Sequence, residues 1–141
     1  VPAARLEPVH ASCYGTGVRT IANVLVASNG RSRRVRALFD TGATVNYLTP
    51  QVAKEFSDVK TVTAPFRVGL GGKRHVIKEA LPLVVKLDRQ DLGLQVFHVV
   101  PVKRFDAILG ALFMEQWGIR LDPKRRRIEI RRNWHQLQVE Y

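Results

Sequence analysis

The sequence is short of the residues that most directly advertise chemistry. It has a single cysteine, Cys13, so no intramolecular disulfide can form, and it lacks any Cys-x-x-Cys or Cys/His cluster with zinc-binding spacing. His10, His75, His98 and His135 are scattered without ligand spacing, and no Gly-x-Ser-x-Gly element accompanies them. Metal-centred and serine-nucleophile chemistry therefore fit the pattern poorly. No apolar run approaches the roughly 18 residues needed to cross a bilayer, and the opening VPAARLEPVH has no signal-like stretch. Internal repeats and low-complexity tracts are missing as well. These absences lead us to expect no metal, no cofactor, no membrane association and a reducing, cytoplasmic setting. The chain opens on Val rather than Met, and it is expected to be a piece of a longer polypeptide.

Acidic residues are also scarce: 12 Asp and Glu stand against 23 Lys and Arg, for a net charge of +11. That balance favours polyanions or anionic surfaces as neighbours without naming a ligand. The charge is clustered, with four Arg in GRSRRVR between 31 and 36 and six basic residues in KRRRIEIRR between 124 and 132. Two readings are open: solvated strand faces and turn tips, or weak nucleic-acid contact. Few aromatics interleave with the basic runs, which argues against a platform for stacked bases.

What the chain does have is the composition of a globular protein. Its 141 residues are 45% hydrophobic and suffice for one domain with a genuine core. Residues up to about 17 are rich in Pro, Gly and small side chains and read as an arm. From Thr20, β-favouring runs flank Asn29-Gly30, a dipeptide suited to a type I′ turn, which predicts strands at 19–27 and 32–40. Thr49 as cap and Pro50 at the first helical position predict a short helix over 50–56. β-type runs on both sides of Gly69-Leu70-Gly71-Gly72 predict a hairpin with a glycine-rich tip. LGLQVFHVV reads as a strand ended by Pro101, DAILG as a short buried strand, and ALFMEQW as a helix stopped by Gly118. IRLDPKRRRIEIRR reads as strand, Asp122-Pro123 turn, strand. The fold class is mostly β with two short helices.

The stretch ALFDTGATVNYL, residues 37 to 48, carries the chemistry. It sets one carboxylate at a strand end, a hydroxyl beside it that can lock the loop, and a glycine that lets backbone amides approach. Apolar residues on both sides, Leu38 and Phe39 before and Val45, Tyr47 and Leu48 after, bury the supports of that loop.

Here the sequence resembles the retropepsin family, the aspartic proteases of retroviruses and long-terminal-repeat retrotransposons. The match runs over roughly residues 20 to 130 in order: a hairpin into ALFDTGATVNYL, a glycine-rich flap at VGLGGK, and AILG before a short helix. The Asp-Thr-Gly-Ala-Thr form, followed by Asn and an aromatic, looks most like gypsy- or Bel-type retrotransposon proteases. The resemblance implies a closed β-barrel of the acid-protease type, one lobe per chain. It implies an arm at 1–18, a protease domain at 19–132 and a C-terminal extension at 133–141.

Peptide hydrolysis by two carboxylates needs one ionised and one protonated. Like charges a few ångströms apart share a proton, which is the established behaviour of aspartic proteases at large and is borrowed for this chain. One Asp-Thr-Gly is half a site. Asp106 in FDAILG lacks a following Thr/Ser-Gly and is read as structural, so the resemblance implies a homodimer pairing Asp40 with its symmetry mate. It further implies that Thr41 bonds across the dimer axis, that Gly42 and Ala43 complete the loop, and that Gly69, Leu70, Gly71 and Gly72 close over a peptide with Leu70 at the tip. Ile108 and Leu109 wall the pocket or the core beneath it, Gly110 admits the next helix, and Lys103 and Arg104 either select acidic side chains or sit in a solvated loop. Two departures stand out. Ala111-Leu112 replaces the charged or amide residue common after the second glycine, and the chain runs on past the expected last strand.

The implied activity is polyprotein cleavage, in the cytoplasm or inside virus-like particles, with a polypeptide as substrate. The alternatives are a retropepsin-like module used only for binding, and a basic nucleic-acid-binding module.

Overall fold

The computed structural model describes residues 3–5 and 18–130, the first three by backbone alone. Ten strands and two helices follow in chain order: β1 Ala3–Arg5, β2 Arg19–Ser28, β3 Arg31–Asp40, β4 Asn46–Leu48, α1 Pro50–Ala53, β5 Lys60–Leu70, β6 Lys73–Leu87, β7 Gln90–Val99, β8 Ala107–Leu109, α2 Ala111–Trp117, β9 Ile119–Asp122 and β10 Arg127–Ile130. The larger sheet runs β2-β3-β8-β4-β7-β6-β5, and β2 also pairs with β6 through Leu25↔Lys86, Val26↔Val85 and Ala27↔Val84. That extra pairing closes six strands into a barrel and leaves β5 outside the ring. Closure pairs β2 with β6, and β5 remains an edge strand beyond the ring. A three-stranded sheet, β1-β10-β9, packs beside it, with Ile119, Ile128 and Ile130 in the main core.

The predicted hairpins form. Asn29 and Gly30 both take positive φ, 49° and 76°, as a type I′ turn requires, and the strands extend to Ser28 and from Arg31. The helix expected over 50–56 stops at Ala53. Thereafter the Glu55 and Phe56 amides bond three residues back, to the Val52 and Ala53 carbonyls, and this tighter winding turns Phe56 into the main core. Thr49 holds the extended backbone of a cap, but its hydroxyl donates to Gln51 Oε1 at 2.7 Å instead of accepting from the helix. Gly118 ends α2 in the left-handed conformation. The strand expected from Leu92 starts at Gln90, and its turn, Asp88-Arg89, takes positive φ at both residues. Within the expected arm, Ala3–Arg5 pairs with β10. The rest of that arm, apart from Val18, and the extension at 133–141 lie outside the described residues.

Strand alternation decides which way the site faces. Val35, Ala37 and Phe39 of β3 enter the main core, whereas Leu38 enters a second apolar cluster with Ile21, Tyr47, Ile77, Val100, Val102 and Ile108. Asp40 is two residues beyond Leu38, so it stands on the face of that second cluster.

Candidate active site

Asp40 is 2% exposed, whereas Thr41 and Gly42 directly after it are exposed. The carboxylate accepts a hydrogen bond from the Gly42 amide at 2.8 Å, closing a tight loop at the end of β3. Burial raises the Asp40 pKa from its ordinary value of 3.8, against the lowering pull of the Gly42 bond and of the Arg19 charge. Arg19 is directly opposite Asp40 in the β2–β3 register. The net shift is upward, the direction required of the member of an acid/base pair that keeps its proton.

The loop after Asp40 is held from beneath. The amides of Ala111 and Leu112, at the start of α2, donate to the carbonyls of Ala43 and Thr44 at 2.6 and 3.2 Å. The Gly110 amide donates to Oδ1 of Asn46, which is buried, and the Asn46 Nδ2 reaches the Val96 carbonyl at 3.3 Å. A Cβ on Gly110 would meet the Val45 carbonyl oxygen at 2.5 Å and that of Ala43 at 2.7 Å, so only glycine fits where the loop crosses.

Thr41, expected to bond across a dimer axis, also has a partner within its own chain. Its hydroxyl accepts from the Val18 amide at 2.8 Å and its own amide donates to the Val18 carbonyl at 3.0 Å, so the chain satisfies it internally. Asp106 is no partner for Asp40. The β3–β8 register places it beside Arg36, four residues back along β3, about 13 Å at the usual strand rise, and its Oδ2 accepts from the Arg36 amide at 2.9 Å.

β5 and β6 form the expected hairpin, but only Gly71 and Gly72 make its turn, with φ of 58° and 76°, while Gly69 and Leu70 belong to β5. Nothing lies within 4 Å of where a Gly69 Cβ would be, which leaves its backbone open to close approach. Val68 and Leu70 pack onto the second cluster, the same group that holds fully buried Ile108 and contacts Ala43. Ile108 is thus floor beneath the flap rather than open wall. Phe66 meets the edge of His98 with ring centroids 5.3 Å apart and fixes the hairpin's base.

A pocket of about 410 Å³ lies between the flap tip and the loop after β7, with Leu70, Gly71 and Pro101 among its lining. Asp40 does not line it; the connection is Leu70, which shares its apolar cluster with Ala43.

The retroviral protease-like domain of Ddi1 from Leishmania major has a similar solved structure, with a TM-score of 0.55 at 20% identity, covering 78% of this chain and 87% of that one. The fold is retropepsin-like. No protein-family model and no curated protein matches the sequence. In this retropepsin-like frame the Asp-Thr-Gly loop, the hairpin above it and the AILG strand beside it converge as the motifs suggested.

Three residues escaped the sequence reading. Asn46 was detectable as a polar residue inside the apolar run VNYL. Arg19 follows from counting back across the Asn29-Gly30 turn, which sets it opposite Asp40. Arg36 gave no signal, because in the sequence it is one arginine of a basic run. In the structure its guanidinium donates to the Arg104 carbonyl at 2.7 Å and lies 5.2 Å from the Phe105 ring centroid. Arg33 likewise pairs with Glu55 at 2.7 Å and Arg31 donates to the Glu55 carbonyl, so that run is largely engaged within the chain.

Proposed function

We infer that the chain is one half of a homodimeric aspartic endopeptidase, with the Asp40 carboxyls of two copies sharing a proton. The observation that carries this reading is a 2%-exposed carboxylate with a raised pKa, followed at once by exposed Thr41 and Gly42. Two apolar side chains beside the loop support it: Val18 is 46% exposed and Leu112 is 56% exposed. Both bond the loop through their backbones, and a second copy would cover them.

In the proposed reaction the ionised carboxylate takes a proton from water as its oxygen attacks the scissile carbonyl carbon. The protonated partner donates to the carbonyl oxygen. Collapse of the tetrahedral intermediate breaks the C–N bond, and the amine leaves with a proton returned by the dyad. The flap hairpin would cover the peptide and exclude water, and the substrate class is a retroelement polyprotein of the Gag-Pol kind.

The test is incubation with a peptide library between about pH 4 and pH 7, with and without pepstatin, using Asp40→Asn as the blank. Pepstatin-sensitive cleavage that Asp40→Asn lacks supports the assignment; cleavage that persists in pure Asp40→Asn removes it. A second reading, a monomeric binding module, draws on Thr41 being satisfied by Val18 within one chain. Sedimentation that stays monomeric at every concentration and pH would favour it.

A further inference from the structure

We propose that the pocket between the flap tip and the loop after β7 is a subsite for an acidic side chain, so that the preferred peptides carry Glu or Asp at one fixed position. The orientation of that peptide under the flap rests on the protease reading, but the charge selectivity does not. Lys73 and His75 approach from β6, two residues apart and therefore on one face of the strand. Lys103 and Arg104 approach from the opposite wall, and none of the described lining residues is Asp or Glu. A carboxylate entering this concavity, with Lys73 on one side and Lys103 and Arg104 on the other, gains charge-assisted hydrogen bonds.

The shape suits a side chain rather than a flat surface contact. Leu70 and Pro101 give apolar walls for the methylenes of a Glu, and about 410 Å³ accommodates that side chain with the backbone that bears it. None of the described lining residues is Phe, Tyr or Trp, so the broad aromatic platforms that hold stacked bases are missing and the planar groups are those of His75 and Arg104.

The cationic wall is also held in place before a ligand arrives. Arg104 has φ of 69°, in the left-handed region that a bulky side chain disfavours. It is held there by the Arg36 guanidinium on its carbonyl, by Arg36 over Phe105, and by the Asp106 carboxylate on the Arg36 amide. A loop fixed this way loses less freedom when it binds.

The experiment uses the full chain and fluorescein-labelled octapeptides of Ala and Leu, scanned with Glu, Gln or Lys at each position. Binding is read by fluorescence anisotropy with Asp40→Asn, and cleavage by the wild-type chain. The expected result is one position at which Glu binds and is cleaved about tenfold better than Gln, an advantage that shrinks as salt rises. In Lys103→Glu/Arg104→Glu the preference at that position turns toward Lys. Should that variant unfold, Lys103→Gln and Lys73→Gln each reduce the Glu/Gln ratio. Equal treatment of Glu and Gln at every position overturns the proposal, and if cleavage is otherwise normal the protease reading survives it. Selective Glu binding without any cleavage keeps the subsite and removes the protease. A Glu preference untouched by the charge changes, no peptide binding at all, or an oligouridylate that displaces the Glu peptide through the same lysines more tightly than a peptide does, each overturns it.

Discussion

Asn46 and Gly110 hold the candidate active-site loop between them: the Gly110 amide donates to Asn46 Oδ1 at 3.0 Å, just where the backbone of residues 43–45 crosses over Gly110. The Asp40 carboxyl bonds Gly42 instead of either of these residues, yet both determine where the Asp40 loop can run. The bond is buried, and its loss leaves an amide without a partner in a site that water does not reach.

Gly110→Ala forces a Cβ to within 2.5 Å of a backbone carbonyl that cannot swing away. The expected cost is about 3 kcal/mol. Asn46→Ala instead leaves the Gly110 amide unsatisfied and costs about 1–3 kcal/mol. Urea denaturation of both against wild type checks this; a stable Gly110→Ala chain would contradict the close crossing.

Asp40 links stability to pH in a defined direction. Its folded pKa is raised above the ordinary 3.8, so the folded chain holds this proton more tightly than the unfolded chain does. The group imposes no penalty below the unfolded value, and the penalty grows as pH rises from there through the folded pKa, above which it is complete. Asp40→Asn, which still accepts from Gly42, is expected to be more stable than wild type at neutral pH and to lose that advantage near pH 3. Paired denaturation curves across this range would show a pH-independent difference if burial had not shifted the carboxyl.

The flap glycines are expected to separate. Gly72→Val places a β-branched residue at φ 76° and destabilises the hairpin by about 1–2 kcal/mol. Gly69→Ala has open space around its new methyl group and leaves stability within about 0.5 kcal/mol of wild type. If a peptide backbone passes against Gly69, the second change raises KM while leaving the melting curve alone. Steady-state kinetics beside thermal unfolding distinguish the two.

Arg36→Ala removes the clamp on the Arg104 carbonyl and the contact with Phe105. Partial loss of cleavage is expected, unlike the complete loss with Asp40→Asn, together with about 1–2 kcal/mol of destabilisation. An Arg36→Ala chain that binds and cuts like wild type would mean that the loop holds its shape unaided.

Val18→Glu or Leu112→Glu adds charge to the exposed apolar pair beside the loop. The fold is expected to persist, while sedimentation shifts toward monomer and activity falls in parallel. Unchanged association would place the contact between copies elsewhere.

The order of elements was legible in the chain because local chemistry sets it. Asn29-Gly30 has the backbone tolerance of a tight turn, Gly118 stops a helix, and ALFDTGATVNYL announces a loop with one carboxylate. Alternation along β3 even sets Asp40 on the face of Leu38. The tertiary structure alone decided what meets that loop. Arg19 and Asp40 are 21 positions apart and meet through strand register. Gly110 must be glycine because a distant segment crosses it, and Thr41 turns its hydroxyl to Val18 because that backbone lies within reach. Arg36 reads as surface charge until Arg104 arrives beside it. A sequence specifies each residue's preferences, but hydrogen bonds, charge pairs and excluded volume depend on neighbours that only the closed barrel brings together.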